Sequence, residues 1–179
     1  DILFFGYAKV CNGPFMPNSF AYKDDVKAVV QDLEKAKKLL SEAGYTKENP
    51  LVFEVVTNTG NDIRINTAQI LQHQLLKIGV HMKIRVMEWQ AFLNTVVHPR
   101  KYEAVILGWS LALMPDAYPL WHSSSSKLGG FNLVGYKNPK VDELIEKGIE
   151  TVNKDELSVI YKEIFKTISE DVPYLFLYI

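Results

Sequence analysis

The sequence predicts an α/β fold with a mixed, mostly parallel sheet and helices on both faces. Patterns typical of strands and helices alternate between residues 51 and 107, and such alternation is the signature of right-handed βαβ units. Two helical patterns then follow each other directly between residues 138 and 171. A last apolar run, residues 173–179, predicts a strand that returns to the sheet and makes it mixed.

The chain begins with an irregular segment and a helix. Residues 1–25 combine Gly, Pro and scattered aromatic residues, which predicts an irregular lead-in. Apolar residues then recur at helical spacing from Leu33 to Ala43, and Gly44 is a stop signal.

The first βα unit follows. Residues 51–57 are rich in β-branched side chains and predict a strand. The next helix carries apolar residues on one face between positions 63 and 78 and ends at Gly79. Either Asn61 or Asp62 would be its N-cap.

The second half of the chain continues the alternation. Residues 80–86 alternate between apolar and polar side chains, a strand with one wetter face. A short helix over residues 89–97 precedes the apolar run 104–107, which fits a strand covered on both faces. Asn138 before Pro139 and, later, Asn153 are N-cap signals for the two late helices.

Composition and charge exclude several classes of protein. Lys and Arg number 20 against 21 Asp and Glu, so the net charge of -1 gives no electrostatic case for nucleic acid. A single cysteine, Cys11, excludes an internal disulfide framework. No apolar run is long enough to predict a membrane-spanning segment. The apolar start after Asp1 and the apolar final run predict a fragment of a longer protein, which leaves localisation open.

The residue patterns of catalysis are absent. The four histidines, His73, His81, His98 and His122, form no HExxH motif. The serine tract 123–126 lacks the GxSxG elbow of a nucleophile. We therefore predict no enzyme, no catalytic residue, no metal site and no cofactor.

Residues 108–139 form a long segment rich in aromatics, Gly and Ser, and they are the main candidate for a functional site. Loops of this length are functional or disordered, and disordered tracts are poor in aromatics. Trp109 follows a strand directly, beside Gly108, where its ring would wall a cleft. For Trp121, beside Leu120, we predict a place in the hydrophobic core instead. Any single aromatic here has the alternative role of filling the core.

A second candidate lies after the first strand. Residues 58–64 begin a helix, whose free N–H groups and positive dipole end attract an anionic or carbonyl group. Arg64 stands in the first turn, where a cation is unfavourable, and this suggests a charge partner. The alternative is an ordinary turn. Asp116 also has two possible roles, as a ligand-binding acid or as the cap of a short helical turn.

The order of these segments resembles the C-terminal lobe of family 5 extracellular solute-binding proteins. These are the oligopeptide-, dipeptide- and nickel-binding receptors of ABC importers. The resemblance covers residues 1–179 and rests on these motifs: 57–61 (TNTGN), Arg64, 76–80 (LKIGV), 88–92 (EWQAF), 107–109 (LGW), 115–118 (PDAY), 121–123 (WHS), 131–136 (FNLVGY), 138–142 (NPKVD) and 171–174 (DVPY).

The resemblance implies a periplasmic-binding-protein type II fold, with residues 1–179 as a single lobe of a two-lobe receptor. Its partners would be a small ligand, with peptide as the leading class, the N-terminal lobe and the importer permease. The receptor would work at the periplasmic or extracellular face of the cell membrane, lipid-anchored in some forms. The predicted ligand-binding residues are Trp109, Asp116, Tyr118, Asn58, Arg64, Asn132 and Trp89.

One departure from the family concerns the ligand's amine. Peptide binders of the family place an Asp three residues after the Trp, where this chain has Ala112. Either Asp116 replaces that acid, or the ligand has no free amine, or it is not a peptide. Two other functions stay open from the residues alone. One is a protein-interaction module that uses exposed Trp109, Tyr118 and Phe131, and the other is an α/β hydrolase-type domain.

Overall fold

The computed structural model describes residues 3–4, 6–27 and 29–179. Asp1, Ile2 and Phe5 of the predicted lead-in lie outside the described residues, as does Ala28. The chain forms two compact units. The sheet unit comprises residues 30–108, and the helical unit comprises the described residues within 3–29 and 109–179.

The sheet unit contains a three-stranded parallel sheet. Its strands are β1 (Val52–Asn58), β2 (His81–Met87) and β3 (Ala104–Val105), in the order β2-β1-β3. Val52 pairs with His81 at one end of the β1–β2 ladder and Asn58 with Met87 at the other. All three strands lie within two residues of the predicted positions, so the predicted parallel βαβ arrangement is confirmed.

Helices α1 (Leu33–Glu42), α2 (Asp62–Leu76) and α3 (Trp89–Phe92) belong to the sheet unit, and a π-helical turn, Leu93–Val97, continues α3. Asn61 caps α2, because its side chain accepts a hydrogen bond from the N–H of Arg64 at 3.0 Å. This confirms one of the two predicted caps.

Both faces of the central strand are covered. Val55 lies in a core cluster with Ala68 of α2, Met82 of β2 and Ile106. Val56 points to the opposite face, since side chains alternate along a strand, and it is also fully buried. Burial on both faces accounts for the two consecutive apolar residues at the centre of β1.

The helical unit contains α4 (Tyr118–Trp121), a 3₁₀ turn (Ser123–Ser126), α5 (Pro139–Glu150) and α6 (Lys154–Asp171). Asn138 and Asn153 cap α5 and α6, as predicted. At 18 residues α6 is the longest of these helices. No helix within the described ranges is long and apolar enough to cross a membrane.

The core of the helical unit forms around α5 and α6. Ile145 of α5 packs with Ile164 and Phe165 of α6, and all three are fully buried. Trp121 belongs to the same core, which confirms its predicted role. The aromatic rings of the lead-in complete the cluster, since Phe15 contacts Phe165 with ring centroids 6.2 Å apart.

The predicted last strand is reduced to a single bridge. Tyr178 forms an isolated antiparallel bridge with Val10, and Lys9 and Ile179 exchange backbone hydrogen bonds of 2.8 and 3.0 Å. The run 173–179 therefore pairs with the lead-in, and the three-stranded sheet is parallel throughout. The run is apolar because its rings pack on the core: Tyr174 lies 4.8 Å from Trp121, centroid to centroid.

Candidate ligand-binding site

The predicted ligand-binding residues lie in two groups, one in each unit. The sheet unit holds Asn58, Arg64 and Trp89, which we name the arginine cluster. The helical unit holds the others, which are Trp109, Asp116, Tyr118 and Asn132.

Arg64 joins the arginine cluster. Its Nη1 donates a hydrogen bond of 2.7 Å to Oδ1 of Asn58, and its guanidinium carbon lies 5.8 Å from the ring centroid of Trp89. The second distance is within the range of a cation–π interaction. The structure thus brings together three residues that were predicted separately.

The elements of the sheet unit explain this geometry. Asn58 is the last residue of β1, and Arg64 stands in the first turn of α2. Gly108 gives the guanidinium room, because a Cβ at that position would lie 3.3 Å from Nη2 of Arg64. The Arg64 side chain is therefore bounded by an amide, an aromatic face and a glycine backbone.

The charge of Arg64 is not balanced by an acid. No carboxylate of the described residues lies within ion-pair distance of it. Arg85 on the same sheet, by contrast, pairs with Glu54 at 2.8 Å. The N-terminus of α2 adds a positive dipole end beside Arg64. A half-buried cation in this setting attracts an anionic or carbonyl group.

In the helical unit, Trp109 contacts Phe131. The two ring centroids lie 6.0 Å apart and the rings are perpendicular, an edge-to-face pair. Trp109 is 38% exposed and Phe131 is 56% exposed, so neither ring fills the core. Phe131 was not among the predicted ligand-binding residues, although its place after Gly130 within a glycine-rich loop was a usable signal.

Asn132 holds the loop that carries Phe131. Its Nδ2 donates to the carbonyls of His122 at 3.1 Å and Tyr136 at 2.8 Å, and its Oδ1 accepts the N–H of Tyr136 at 2.9 Å. The side chain is fully buried. In this structure the Asn132 amide therefore contacts the loop backbone, which is a positioning role.

Asp116 and Tyr118 lie at the start of α4. Oδ1 of Asp116 accepts the N–H of Tyr118 at 3.1 Å, a local turn bond just before α4. The N-cap of α4 is Ala117, so Asp116 is not the cap residue itself. The ring of Tyr118 stacks on His122 with centroids 4.2 Å apart. Its hydroxyl lies 2.9 Å from Oγ of Ser124. Tyr118 is thus fixed at the surface.

His122 is a residue that the sequence did not single out for this group. Its Nδ1 accepts the N–H of Ser124 at 3.2 Å and also contacts Oγ of Ser124 at 2.8 Å. Its Nε2 faces Glu146 at 3.3 Å. Because Nδ1 accepts a backbone N–H, the imidazole caps the 3₁₀ turn, and the chain of Ser, His and Glu has a local structural function.

Potential metal ligands are dispersed. Within residues 3–4, 6–27 and 29–179, no group of three or more His, Cys, Asp or Glu side chains is placed to hold a metal ion. Nε1 of Trp121 is the one buried side-chain nitrogen or oxygen in these ranges that has no hydrogen-bond partner.

Comparison with known proteins places the chain in a family. Residues 1–131 match the sequence model described as bacterial extracellular solute-binding proteins, family 5 Middle. The oligopeptide-binding protein AppA of Bacillus subtilis is 36% identical over 97% of this chain and 34% of its own length. The nickel-binding protein NikA of Staphylococcus aureus is 30% identical over 97% of this chain and 35% of its own length.

The fold comparison agrees. The structure of Bacillus subtilis AppA in complex with a nonapeptide superposes with a TM-score of 0.89 and 34% identity, covering 98% of this chain and 37% of that one. The expected periplasmic-binding-protein type II fold is confirmed. The chain spans about a third of the length of these relatives. It belongs to the bacterial extracellular solute-binding proteins of family 5.

Proposed function

We propose that this chain is the C-terminal, substrate-binding lobe of an ABC-importer receptor for oligopeptides. The observation that carries the proposal is the similarity to AppA, an oligopeptide-binding protein, over nearly the whole chain. The receptor has no enzymatic activity in this proposal. It works at the extracellular or periplasmic face of the membrane, and its partners are a second lobe and the importer permease.

Arg64 is the proposed polar anchor of the sheet unit. Its guanidinium is oriented by Asn58 and Trp89 and lacks a carboxylate partner among the described residues. A planar guanidinium binds a peptide carboxylate or carbonyl with directed hydrogen bonds. Since the side chain is already held, little conformational entropy is lost when the ligand binds.

Trp109 and Tyr118 are the proposed aromatic contacts of the helical unit. Trp109 offers a partly exposed ring, and its indole N–H can donate a hydrogen bond. Tyr118 presents a ring held by His122 and Ser124. Asn132 supports this group indirectly, by holding the loop that carries Phe131.

Asp116 is the proposed partner for a ligand amine, in place of the acid missing at Ala112. Its carboxylate accepts a hydrogen bond from the backbone of α4 through one oxygen, Oδ1. No cation of the described residues forms an ion pair with it. A charged amine would therefore gain a charge-assisted hydrogen bond here.

The experiment is a thermal-shift measurement on the complete receptor that contains this chain. Di- to pentapeptides, sugars and nickel are added separately, because a ligand of the native state raises the melting temperature by mass action. We expect a peptide pool to raise it. Trp109→Ala should abolish this shift with the ligand-free melting temperature unchanged, while the exposed control Val152→Ser keeps it. A shift with nickel or sugar alone would contradict the peptide assignment.

A further inference from the structure

We infer that the receptor selects peptides with an aliphatic or aromatic side chain, which binds to an uncharged apolar patch in the helical unit. This inference rests on the proposed function. We give the name apolar patch to the exposed apolar side chains of two loop segments, residues 109–115 and 128–136, which the contact between Trp109 and Phe131 brings together. Its exposed apolar side chains include Trp109, Leu111, Leu113, Met114, Phe131 and Val134.

The two segments contain no charged residue. Their sequences are WSLALMP and LGGFNLVGY, and the nearest charges are Asp116, Lys127 and Lys137 at their ends. Surface loops are normally polar, because exposed apolar side chains gain nothing from water. Two uncharged loops with this many exposed apolar side chains are therefore the signature of a binding surface.

The Trp109–Phe131 contact joins the two segments. The two rings are perpendicular, with centroids 6.0 Å apart, and form two walls of a corner. A concave corner accepts one projecting side chain better than the broad surface of another protein. The corner is held in place, because Asn132, the residue next to Phe131, is hydrogen-bonded to the backbone of His122 and Tyr136.

The remaining side chains of the patch are adaptable. Leu113 is 63% exposed and Met114 is 72% exposed, and a flexible chain such as that of Met adjusts to ligands of different shape. We therefore expect tolerance among apolar side chains, with Leu, Met and Phe accepted alike.

The chemistry of the patch determines what it rejects. A charged ligand side chain among these apolar side chains would lose water without gaining a counter-charge, which is unfavourable. The nearest charges lie at the ends of the loops, and Asp116 is assigned to the ligand's amine. A small polar side chain would bury almost no apolar area. An apolar side chain is favoured, because removing its surface from water lowers the free energy of the complex.

The test is calorimetry on the complete receptor with pentaalanine peptides that carry one substitution, to Leu, Phe, Ser, Asp or Lys. Each substitution is made at every position, so that the series itself identifies the position that contacts the patch. At one position we expect the Leu and Phe peptides to bind roughly tenfold or more tighter than the Ser, Asp and Lys peptides. The preference should fall at least severalfold in Phe131→Ser and in Leu113→Ser.

Matched variants separate this patch from general effects. Phe131→Leu keeps an apolar wall and should retain the preference. Val159→Ser removes an exposed apolar residue of α6, outside both loops, and should change nothing. Leu113→Ser changes an exposed side chain, so it stays informative where Phe131→Ser lowers the folded fraction.

The outcomes are distinguishable from a failure of the proposed function. Equal affinity for apolar and polar peptides overturns the inference and leaves an oligopeptide receptor. A preference that persists in both Phe131→Ser and Leu113→Ser also overturns it, since the selectivity then lies elsewhere. Binding of no peptide at all refutes the proposed function, and the inference with it. A stable dimer that buries the patch and excludes peptide would assign the surface to a second copy, contradicting the inference.

Discussion

The guanidinium of Arg64 donates a 2.7 Å hydrogen bond to the side-chain oxygen of Asn58, across the turn between β1 and α2. The first turn of a helix disfavours a cation, because the dipole end is positive there. Asn58 and Trp89 offset this by contacting the guanidinium. The fold thus holds an oriented positive charge that no carboxylate of the described residues neutralises.

Arg64→Lys should weaken peptide binding by about tenfold or more, because an ammonium cannot keep both the stacked position and the directed bonds of a guanidinium. Calorimetry on the complete receptor measures this. Lys83→Arg makes the reverse exchange at an exposed position of β2, and as the control it should leave binding unchanged. Unchanged binding in Arg64→Lys would show that only the positive charge at position 64 matters.

Asn132→Ala should lower the free energy of unfolding by about 2–4 kcal/mol, because the substitution removes three hydrogen bonds between the fully buried amide and the backbone of His122 and Tyr136. Urea denaturation measures this loss. Asn66→Ala, at an exposed position of α2, should stay within about 0.5 kcal/mol of the parent. A similar small effect of Asn132→Ala would contradict the positioning role.

Gly130→Ala should destabilise the protein by about 2 kcal/mol or more. A Cβ there would lie 2.0 Å from the carbonyl oxygen of Ser125, and a backbone atom cannot move aside as a side chain does. The matched variant is Gly129→Asn, where φ is +83° and no atom lies within 4 Å of the added Cβ. Asn tolerates this backbone region, so the melting temperature of the Gly129→Asn variant should stay close to that of the parent.

Tyr136 should stay protonated above pH ~10, the ordinary pKa of tyrosine. Burial, and then the hydrogen bond from its hydroxyl to Asp171, raise the pKa of Tyr136. The native state holds this proton more tightly than the unfolded state does. The stabilisation is therefore complete below pH ~10 and is lost as the pH rises through the folded pKa.

The difference in tyrosinate absorbance between the parent and Tyr136→Phe measures this titration. Its midpoint should lie well above that of free tyrosine. The same variant should also lose the corresponding part of the pH dependence of unfolding. A midpoint near the free value would show that the hydroxyl is open to solvent.

Much of the fold was predictable from local patterns. The strand at residues 51–57 was predictable from its β-branched side chains, among them Val55 and Val56, which are both buried in the structure. Asn61, Asn138 and Asn153 were predictable as N-caps, because a cap bonds to N–H groups two or three residues away. These interactions are short-range, so the sequence contains all of their partners.

The candidate site was predictable only in part. Trp109 and Arg64 could be predicted as candidates, because one follows a strand and the other stands in a first helical turn. Their contacts could not be predicted, because Arg64 contacts Trp89 and Trp109 contacts Phe131 across more than twenty positions of the chain. Contacts between residues so far apart in sequence depend on how the elements pack, and no local pattern encodes them.

The sequence by itself therefore determined the three strands of the sheet, the long helices, their caps and the kinds of side chain available for binding, since these depend on periodicity and short-range hydrogen bonds. The tertiary structure alone decided which side chains meet. It pairs the apolar run 173–179 with the lead-in instead of the sheet. It also encloses Asn132 and leaves Phe131 exposed beside it, because only tertiary packing selects which side chains of a loop are buried.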